Sequence, residues 1–327
     1  MRVLVTGADG FIGGRLVRAL LEQPALTREG DQAEQIDEIV ATRLRPAPGG
    51  MPNDPRLRIE TGNISDPAFL MRLFERRIDS VFHLAAALTS EAEADFGRGL
   101  DVNILGTIQL LELCRAQEAR PRFIFASSMA VFGGALPERV DDGVPRCPQT
   151  SYGTAKAIGE LLIDDYSRHN FIDGRALRLP VVIIRPELSS AVLGDCVGAV
   201  LREPLLGRTV ICPLGPETCV PIVSVRNAVF SLIRLHEVPT DRFGYARAMN
   251  MPALTVPMAE LANTIDTIEH AGPRGKVIWE ADEAIQAMVD GWPSILVADE
   301  AVRLGLRPDG STADILRSFV EDYGPFE

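Results

Sequence analysis

Apolar residues fall in short runs separated by helical stretches from the first residues to about position 185. Arg2 to Thr6 reads as a strand and Phe11 to Glu22 as a helix. Further strands are predicted over Asp37–Arg43, Leu57–Glu60, Ser80–Leu84, Arg122–Ala126 and Ala176–Arg185. Helices are predicted over Pro67–Arg76, Gly99–Gln117 and Tyr152–His169. Strands that alternate with helices in this way build a parallel sheet covered on both faces, because each crossover returns over one face. The polar stretch Gln23 to Gln35 reads as a surface excursion, and the Pro/Gly-rich segment Pro46 to Pro55 as a loop.

After Arg185 the rhythm breaks. Pro186 to Pro221 holds Pro, Gly and isolated short runs, and the pattern beyond Met249 is irregular, with helices predicted over Met258–Glu269, Glu283–Val289 and Thr312–Asp322. The expected fold class is α/β, a Rossmann-type doubly wound parallel sheet with a smaller C-terminal substrate-binding lobe. Residues 1–185 and about 222–248 would form the first part, and 186–221 and 249–327 the second. The lobe would sit over the carboxyl ends of the strands, where such folds bind ligands.

Composition narrows the function. The 327 residues suit one large unit with a smaller lobe. A net charge of -12, with no Lys/Arg-rich run, has the wrong sign for a nucleic-acid partner. The five cysteines have no CxxC or zinc spacing and read as reduced thiols, so no metal is expected. No apolar run approaches the length of a membrane span, and the chain enters its first strand without a basic stretch leading to an apolar one. A cytoplasmic protein acting on a small molecule is expected.

Two constellations carry chemistry. The first is Val3 to Gly13, a strand, a glycine turn and a helix start. Gly7 permits the turn, Gly10 lets backbone approach a pyrophosphate, and Gly13 lets helix and strand pack closely. Thr6, Phe11 and Ile12 frame that turn, and the free N–H groups of the helix start face the phosphates. A dinucleotide, NAD(P), is the implied cofactor. The acid that usually follows the second strand is absent, since the chain reads Ala41-Thr42-Arg43 there. Arg43 can pair with a 2′-phosphate and Thr42 can donate to it, which leans the reading to NADP; a solvated loop arginine is the alternative.

The second constellation is Tyr152 and Lys156, four positions apart and so on one helical face. An ammonium near a phenol lowers its pKa, and the phenol can then exchange a proton with a hydroxyl or a carbonyl. Ser127 and Ser128 end a preceding strand, and one of them can hold the substrate oxygen; turn chemistry is the other role open to them.

Together these residues resemble the extended short-chain dehydrogenase/reductase family, over about residues 1–235. Its hallmarks read here as Thr6 to Gly13, Ser127-Ser128 and Tyr152 to Lys156. The resemblance implies further roles. His83-Leu84-Ala85-Ala86 would line the cofactor, as would Ser127. Asn103 would support the catalytic group. Asn63 and Ile64 would lie near the adenine, although Asn63 stands where the family usually has Asp. Phe132 replaces a usual Tyr, and counting back four from it picks out Ser128 as the catalytic serine. Leu179 and Val181 are expected beside the cofactor. A homodimer through the helices near Gly99–Gln117 and Tyr152–His169 is implied too.

Within the family, Ala130 to Gly134, Ser151 to Glu160, Asp173 to Pro180, Glu91 to Phe96 and Trp292-Pro293 resemble a branch that oxidises a sugar-acid hydroxyl using NAD. That branch usually continues Gly-Lys-Pro-Asn after Arg185-Pro186, whereas this chain has Glu187-Leu188-Ser189-Ser190. Losing a cation there leaves Arg185 and Arg226 to hold a carboxylate, with Thr89 and Ser90 as further polar candidates. Three alternatives stay open: reduction of a neutral carbonyl compound, a nucleotide-sugar epimerase or dehydratase, and a cofactor-sensing regulator without catalysis. The second usually carries Phe-Asn where this chain has Leu179-Pro180, and the third often lacks the Tyr or Lys.

Overall fold

The computed structural model describes residues 1–28, 32–45, 51–117, 119–186, 194–268 and 273–324. Seven parallel strands make the central sheet: β1 (Arg2–Thr6), β2 (Glu38–Arg43), β3 (Leu57–Thr61), β4 (Ser80–His83), β5 (Arg122–Ser128), β6 (Asp173–Leu179) and β7 (Ala248–Asn250). Their spatial order is β7-β6-β5-β4-β1-β2-β3, so the order reverses at β1. That reversal opens a crevice at the carboxyl ends of β1 and β4.

The two-residue period of the strands sorts the core into two layers. Val3 and Val5 of β1 join Ile39, Phe82, Ile124 and Leu177 on one face, under the helices Phe11–Glu22 and Val225–Glu237. Leu4 joins Val40, Val81, Phe123 and Phe125 on the other, against the helices Gly106–Ala116 and Ser151–Arg168. Each fully buried aliphatic or aromatic side chain contributes about 1.5–3 kcal/mol.

A third cluster gathers Ile183, Val197, Leu201, Val220, Met258 and Phe319. It joins a small sheet of Val181–Ile183, Cys219–Ser224 and Leu254–Pro257 to the helices Asp195–Leu205 and Thr312–Tyr323. Between those strands the chain returns to the central sheet as helix Val225–Glu237 and β7.

Several elements differ from their sequence patterns, among them the predicted helix Met258–Glu269, which ends at Asn263 and continues as a 3-10 turn over Thr264–Thr267. Gln23–Gln35 includes an antiparallel pair, Ala25–Thr27 with Ala33–Gln35, whose Leu26 is fully buried. The predicted strand Ala176–Arg185 breaks at Pro180, which cannot donate to a ladder, and Val181–Ile183 joins the small sheet instead. The predicted helix Gly99–Gln117 contains a π-helical turn over Asp101–Leu105. A regular helix, Asp195–Leu205, lies where isolated short runs were expected.

Candidate active site

The glycine turn forms one wall of a cleft of about 660 Å³, in the size range of cofactor sites. Gly7 has φ +73°, and a Cβ there would stand 2.7 Å from the Ala85 backbone nitrogen. A Cβ on Gly13 would stand 2.1 Å from the Gly7 carbonyl oxygen. The turn is thus a cradle that side chains would fill. Gly10, Phe11 and Ile12 line the cleft, and no side chain caps the start of the Phe11–Glu22 helix, so its amides are open to an anion. These features fit a dinucleotide pyrophosphate.

Thr6 is fully buried behind the cleft wall rather than in it. Its Oγ1 accepts from the backbone N–H of Leu84 and of Ala85, both at 3.2 Å. It is also 2.7 Å from His83 Nδ1, while His83 Nε2 lies 3.0 Å from Thr107 Oγ1, which donates to the Asn103 carbonyl. Since Thr107 spends its proton on that carbonyl, Nε2 carries the histidine proton and Thr6 donates to Nδ1. Burial, aided by Lys156, pushes the His83 pKa down to about 3, so the ring stays neutral. This chain of bonds fixes the strand end from which Leu84, Ala85 and Ala86 line the cleft.

Asn103 is buried in the π-helical turn. Its Nδ2 donates to the Ala87 carbonyl at 2.9 Å and its Oδ1 accepts from the Ala87 N–H at 2.7 Å. It does not line the cleft, and these two bonds hold Ala87, which does, so Asn103 stands as a supporting residue and does not reach the reacting groups.

Ser127 and Ser128 diverge as alternate residues of a strand must. The Ser127 hydroxyl donates to Glu160 Oε1 at 2.6 Å in a buried cluster that includes Arg178 and Arg146. Ser128 meets the cleft beside Tyr152, where it favours the ionised phenol, and its Oγ accepts from the Ala130 N–H at 3.1 Å, the turn chemistry open to one of the two serines. The Tyr152 helix approaches closely because residue 153 is glycine: a Cβ there would stand 2.1 Å from the Ala130 carbonyl oxygen. Thr150 caps that helix, its Oγ1 accepting from the Gly153 N–H at 3.0 Å.

Lys156 is buried, and its Nζ donates to the Ala126 carbonyl at 2.7 Å, 5.4 Å from the centre of the Tyr152 ring. Burial pushes its pKa down to about 8 while Glu160 pulls it up. Burial likewise raises the Tyr152 phenol to about 12, against the opposing pull of Ser128 and Arg185.

Arg185 lines the same cleft, near enough for its charge to act on Tyr152. Its guanidinium lies 4.9 Å over the Phe11 ring, and burial lowers its pKa. Its buried Nε has no hydrogen-bond partner among the described residues. The preceding Ile184 has φ +58°, a strained value for a β-branched residue. Arg202 Nη1 donates to the Arg185 carbonyl at 3.0 Å and is itself held by Asp195 and Glu203.

The remaining candidates separate. Thr42, Arg43, Asn63, Ile64, Leu179, Val181 and Thr89 line the cleft. Ser90 is exposed and does not. Arg226 lies off the cleft, its guanidinium donating to Asp322 at 2.8 and 2.6 Å and to Glu321 at 2.7 Å, which removes it as a substrate cation. The segment Glu187–Ser190 is outside the described residues. Sequence reasoning missed Asp9, Glu91, Arg98, Met288 and Trp292, all of which line the cleft. Asp9, Glu91 and Trp292 belong to the resemblance motifs, which were the available signal.

The comparisons agree with this geometry. Residues 3–187 match the model of the NAD dependent epimerase/dehydratase family. The chain is 40% identical to a D-erythronate dehydrogenase of Cupriavidus necator, covering 99% of each chain. It is 35% identical to one of Haemophilus influenzae, covering 98% of this chain and 99% of that one. Among solved structures, a nucleoside-diphosphate-sugar epimerase from Agrobacterium tumefaciens superposes with a TM-score of 0.89 at 31% identity, over 100% of this chain and 96% of the other. Family match and near-full-length identity lead to one conclusion: the chain belongs to the NAD dependent epimerase/dehydratase family.

Proposed function

We propose that this protein is a nicotinamide-dependent dehydrogenase that oxidises the 2-hydroxyl of a sugar acid, with D-erythronate, the acid named for its curated relatives, as the reference substrate. The observation that carries the reading is that Ser128, Tyr152, Lys156 and the cation Arg185 line one cleft. Ser128 holds the substrate hydroxyl oxygen, and Tyr152 takes the hydroxyl proton. Lys156 supports the phenolate by its charge. When bound, the cofactor accepts the hydride from the carbon that becomes the carbonyl. Arg185 pairs with the carboxylate, a contact worth about 1.5–3 kcal/mol. Met288 and Trp292 add apolar surface to the cleft, which favours exclusion of water from the reacting groups. In ketone reduction Tyr152 gives the proton back.

Arg43 at the end of β2 supports binding of NADP through its 2′-phosphate. Exposed Phe96, Leu100, Leu105 and Leu161 on the two long helical segments support a homodimer, and five free cysteines support a reducing compartment such as the cytoplasm.

Similarity to a nucleoside-diphosphate-sugar epimerase favours a second reading, in which the cleft takes a nucleotide sugar. Leu179-Pro180 at the end of β6 weighs against it, since such enzymes usually carry Phe-Asn there. A panel of 2-hydroxy sugar acids, neutral hydroxy compounds and nucleotide sugars, each followed by nicotinamide absorbance with NAD and with NADP, separates the readings. Turnover of erythronate or a close analogue is expected. Activity confined to neutral compounds or to nucleotide sugars removes the sugar-acid reading.

A further inference from the structure

The acid that usually reads the adenosine ribose is missing from the end of β2, yet the fold brings a carboxylate there from another segment. Asp9 lies in the glycine turn immediately before Gly10. Its Oδ2 accepts from the Leu44 backbone N–H at 3.0 Å, just past the end of β2. The Ala8 N–H donates to the Thr42 carbonyl at 2.8 Å, which locks turn and strand end side by side. Asp9, Thr42, Arg43 and Arg45 all line the cleft. One hydrogen bond leaves a carboxylate with further acceptor sites. Arg43, of opposite charge, leans toward β3, where its Nε donates to Thr61 Oγ1 at 3.3 Å.

We propose that Asp9 is the carboxylate that receives the adenosine ribose in this chain, and that it opposes Arg43 in the choice between NAD and NADP. The inference rests on the dinucleotide reading above and adds to it a residue from a different segment. A ribose 2′-hydroxyl donates a hydrogen bond, and a carboxylate accepts it. A 2′-phosphate only accepts, carries close to two negative charges, and is repelled by the same carboxylate. Arg43 has the reverse preference. With both groups at one strand end, the discrimination between cofactors is narrower than either alone would set.

The test is a binding titration of NADH and NADPH by isothermal calorimetry on the wild-type protein and on Asp9→Asn and Arg43→Ala. Asparagine keeps an oxygen for the Leu44 N–H, so the strand end stays in place while the charge goes. Repulsion between one carboxylate and a dianion a few ångström away corresponds to about tenfold in affinity even at water-like dielectric. Asp9→Asn is therefore expected to tighten NADPH by about tenfold, leave NADH unchanged or a few-fold weaker, and lose most of that gain at high salt. Arg43→Ala is expected to move the ratio the other way. An unchanged NADPH/NADH ratio in Asp9→Asn overturns the proposal. So does an equal loss for both cofactors with a lower unfolding temperature in their absence, because Asp9 would then only hold Leu44. Failure of the wild-type protein to bind either cofactor overturns the dinucleotide reading itself, and this proposal with it.

Discussion

Ser127 and Ser128 are chemically alike and adjacent, and their surroundings divide their work. Both line the cleft, but Ser127 gives its proton to Glu160 in an ion cluster behind it, whereas Ser128 stands beside Tyr152. Ser128→Ala is expected to lower turnover by about 10²-fold, the scale of losing a positioned polar donor, while Ser127→Ala costs chiefly stability, about 1 kcal/mol. Steady-state rates and thermal melts of the two variants check this, and the reverse ordering shifts the register by one. Glu160 bears on Lys156 as well. Its carboxylate raises an ammonium that burial lowers to about 8; the Ala126 carbonyl accepts from that ammonium, the phenol of Tyr152 faces it, and His83 nearby is neutral. Lys156 releases its proton near pH 8, well before the phenol of Tyr152, held at about 12, so the pair loses one proton there. The phenolate–ammonium form of the pair reaches its full population at that point, so the kcat/KM for oxidation should rise to a plateau near pH 8, and Glu160→Gln, by removing the carboxylate, should move that limb to lower pH. An unmoved limb in a folded Glu160→Gln variant leaves the glutamate a structural role only. At this scale the sequence was readable where chemistry sits at a strand end or on one helix face, as with Ser128, Tyr152 and Lys156. Asp9 was not, because its relation to the end of β2 is a hydrogen bond across 35 positions.

Elements place Arg185 by means that the hydrophobic pattern hides. Pro180 ends β6, a short second strand follows, and Ile184 at φ +58° turns the backbone so that Arg185 stands over Phe11. Helix Asp195–Leu205 packs against that turn through Gly198, where a Cβ would stand 2.8 Å from the Ile184 backbone nitrogen. Backbone does not yield as a side-chain tip does, so Gly198→Ala must push helix and turn apart. The expected result is a KM for an acidic substrate raised by about tenfold or more, with little change for a neutral one, because a misplaced cation loses most of a contact of about 1.5–3 kcal/mol. Equal effects on both substrates mean that the turn serves packing and does not aim Arg185. This helix was illegible in the sequence for a physical reason. Asp195, Arg202 and Glu203 interrupt its apolar face, and the ion pairs Arg202–Asp195 and Arg202–Glu203 bury those charges together, at 3.2 and 2.7 Å. The patterns of the helices Phe11–Glu22 and Ser151–Arg168 predicted them to within a residue, although the second buries Lys156 and Glu160.

Across the whole molecule, the C-terminal helix Thr312–Tyr323 is tied back to the dinucleotide-binding layers by charge. Asp322 accepts from Arg226, at the start of helix Val225–Glu237, and from Arg15 Nη2 at 2.6 Å, on helix Phe11–Glu22. These partners lie 96 and 307 positions away in sequence, so no local pattern announces them, and a helix-start arginine read alone resembles a substrate cation. The Asp322 side chain is only 6% exposed, while those of Arg226 and Arg15 are 37% and 28% exposed. Solvent screens the arginines and reduces what the pairs contribute, and the carboxylate, held by two guanidiniums, is the member whose loss matters most. Asp322→Asn removes the charge and leaves both cations facing each other, so it should lower stability by roughly 1–2 kcal/mol, after discounting for screening. Arg226→Ala should cost less, since Arg15 still answers the carboxylate. Neither variant should change KM for an acidic substrate, because the pair stands outside the cleft. Denaturant titration of the two variants beside their steady-state kinetics gives both readouts. A selective rise in KM for the acid in Arg226→Ala, with stability unchanged, would return that arginine to the substrate site and make its pairing with Asp322 incidental.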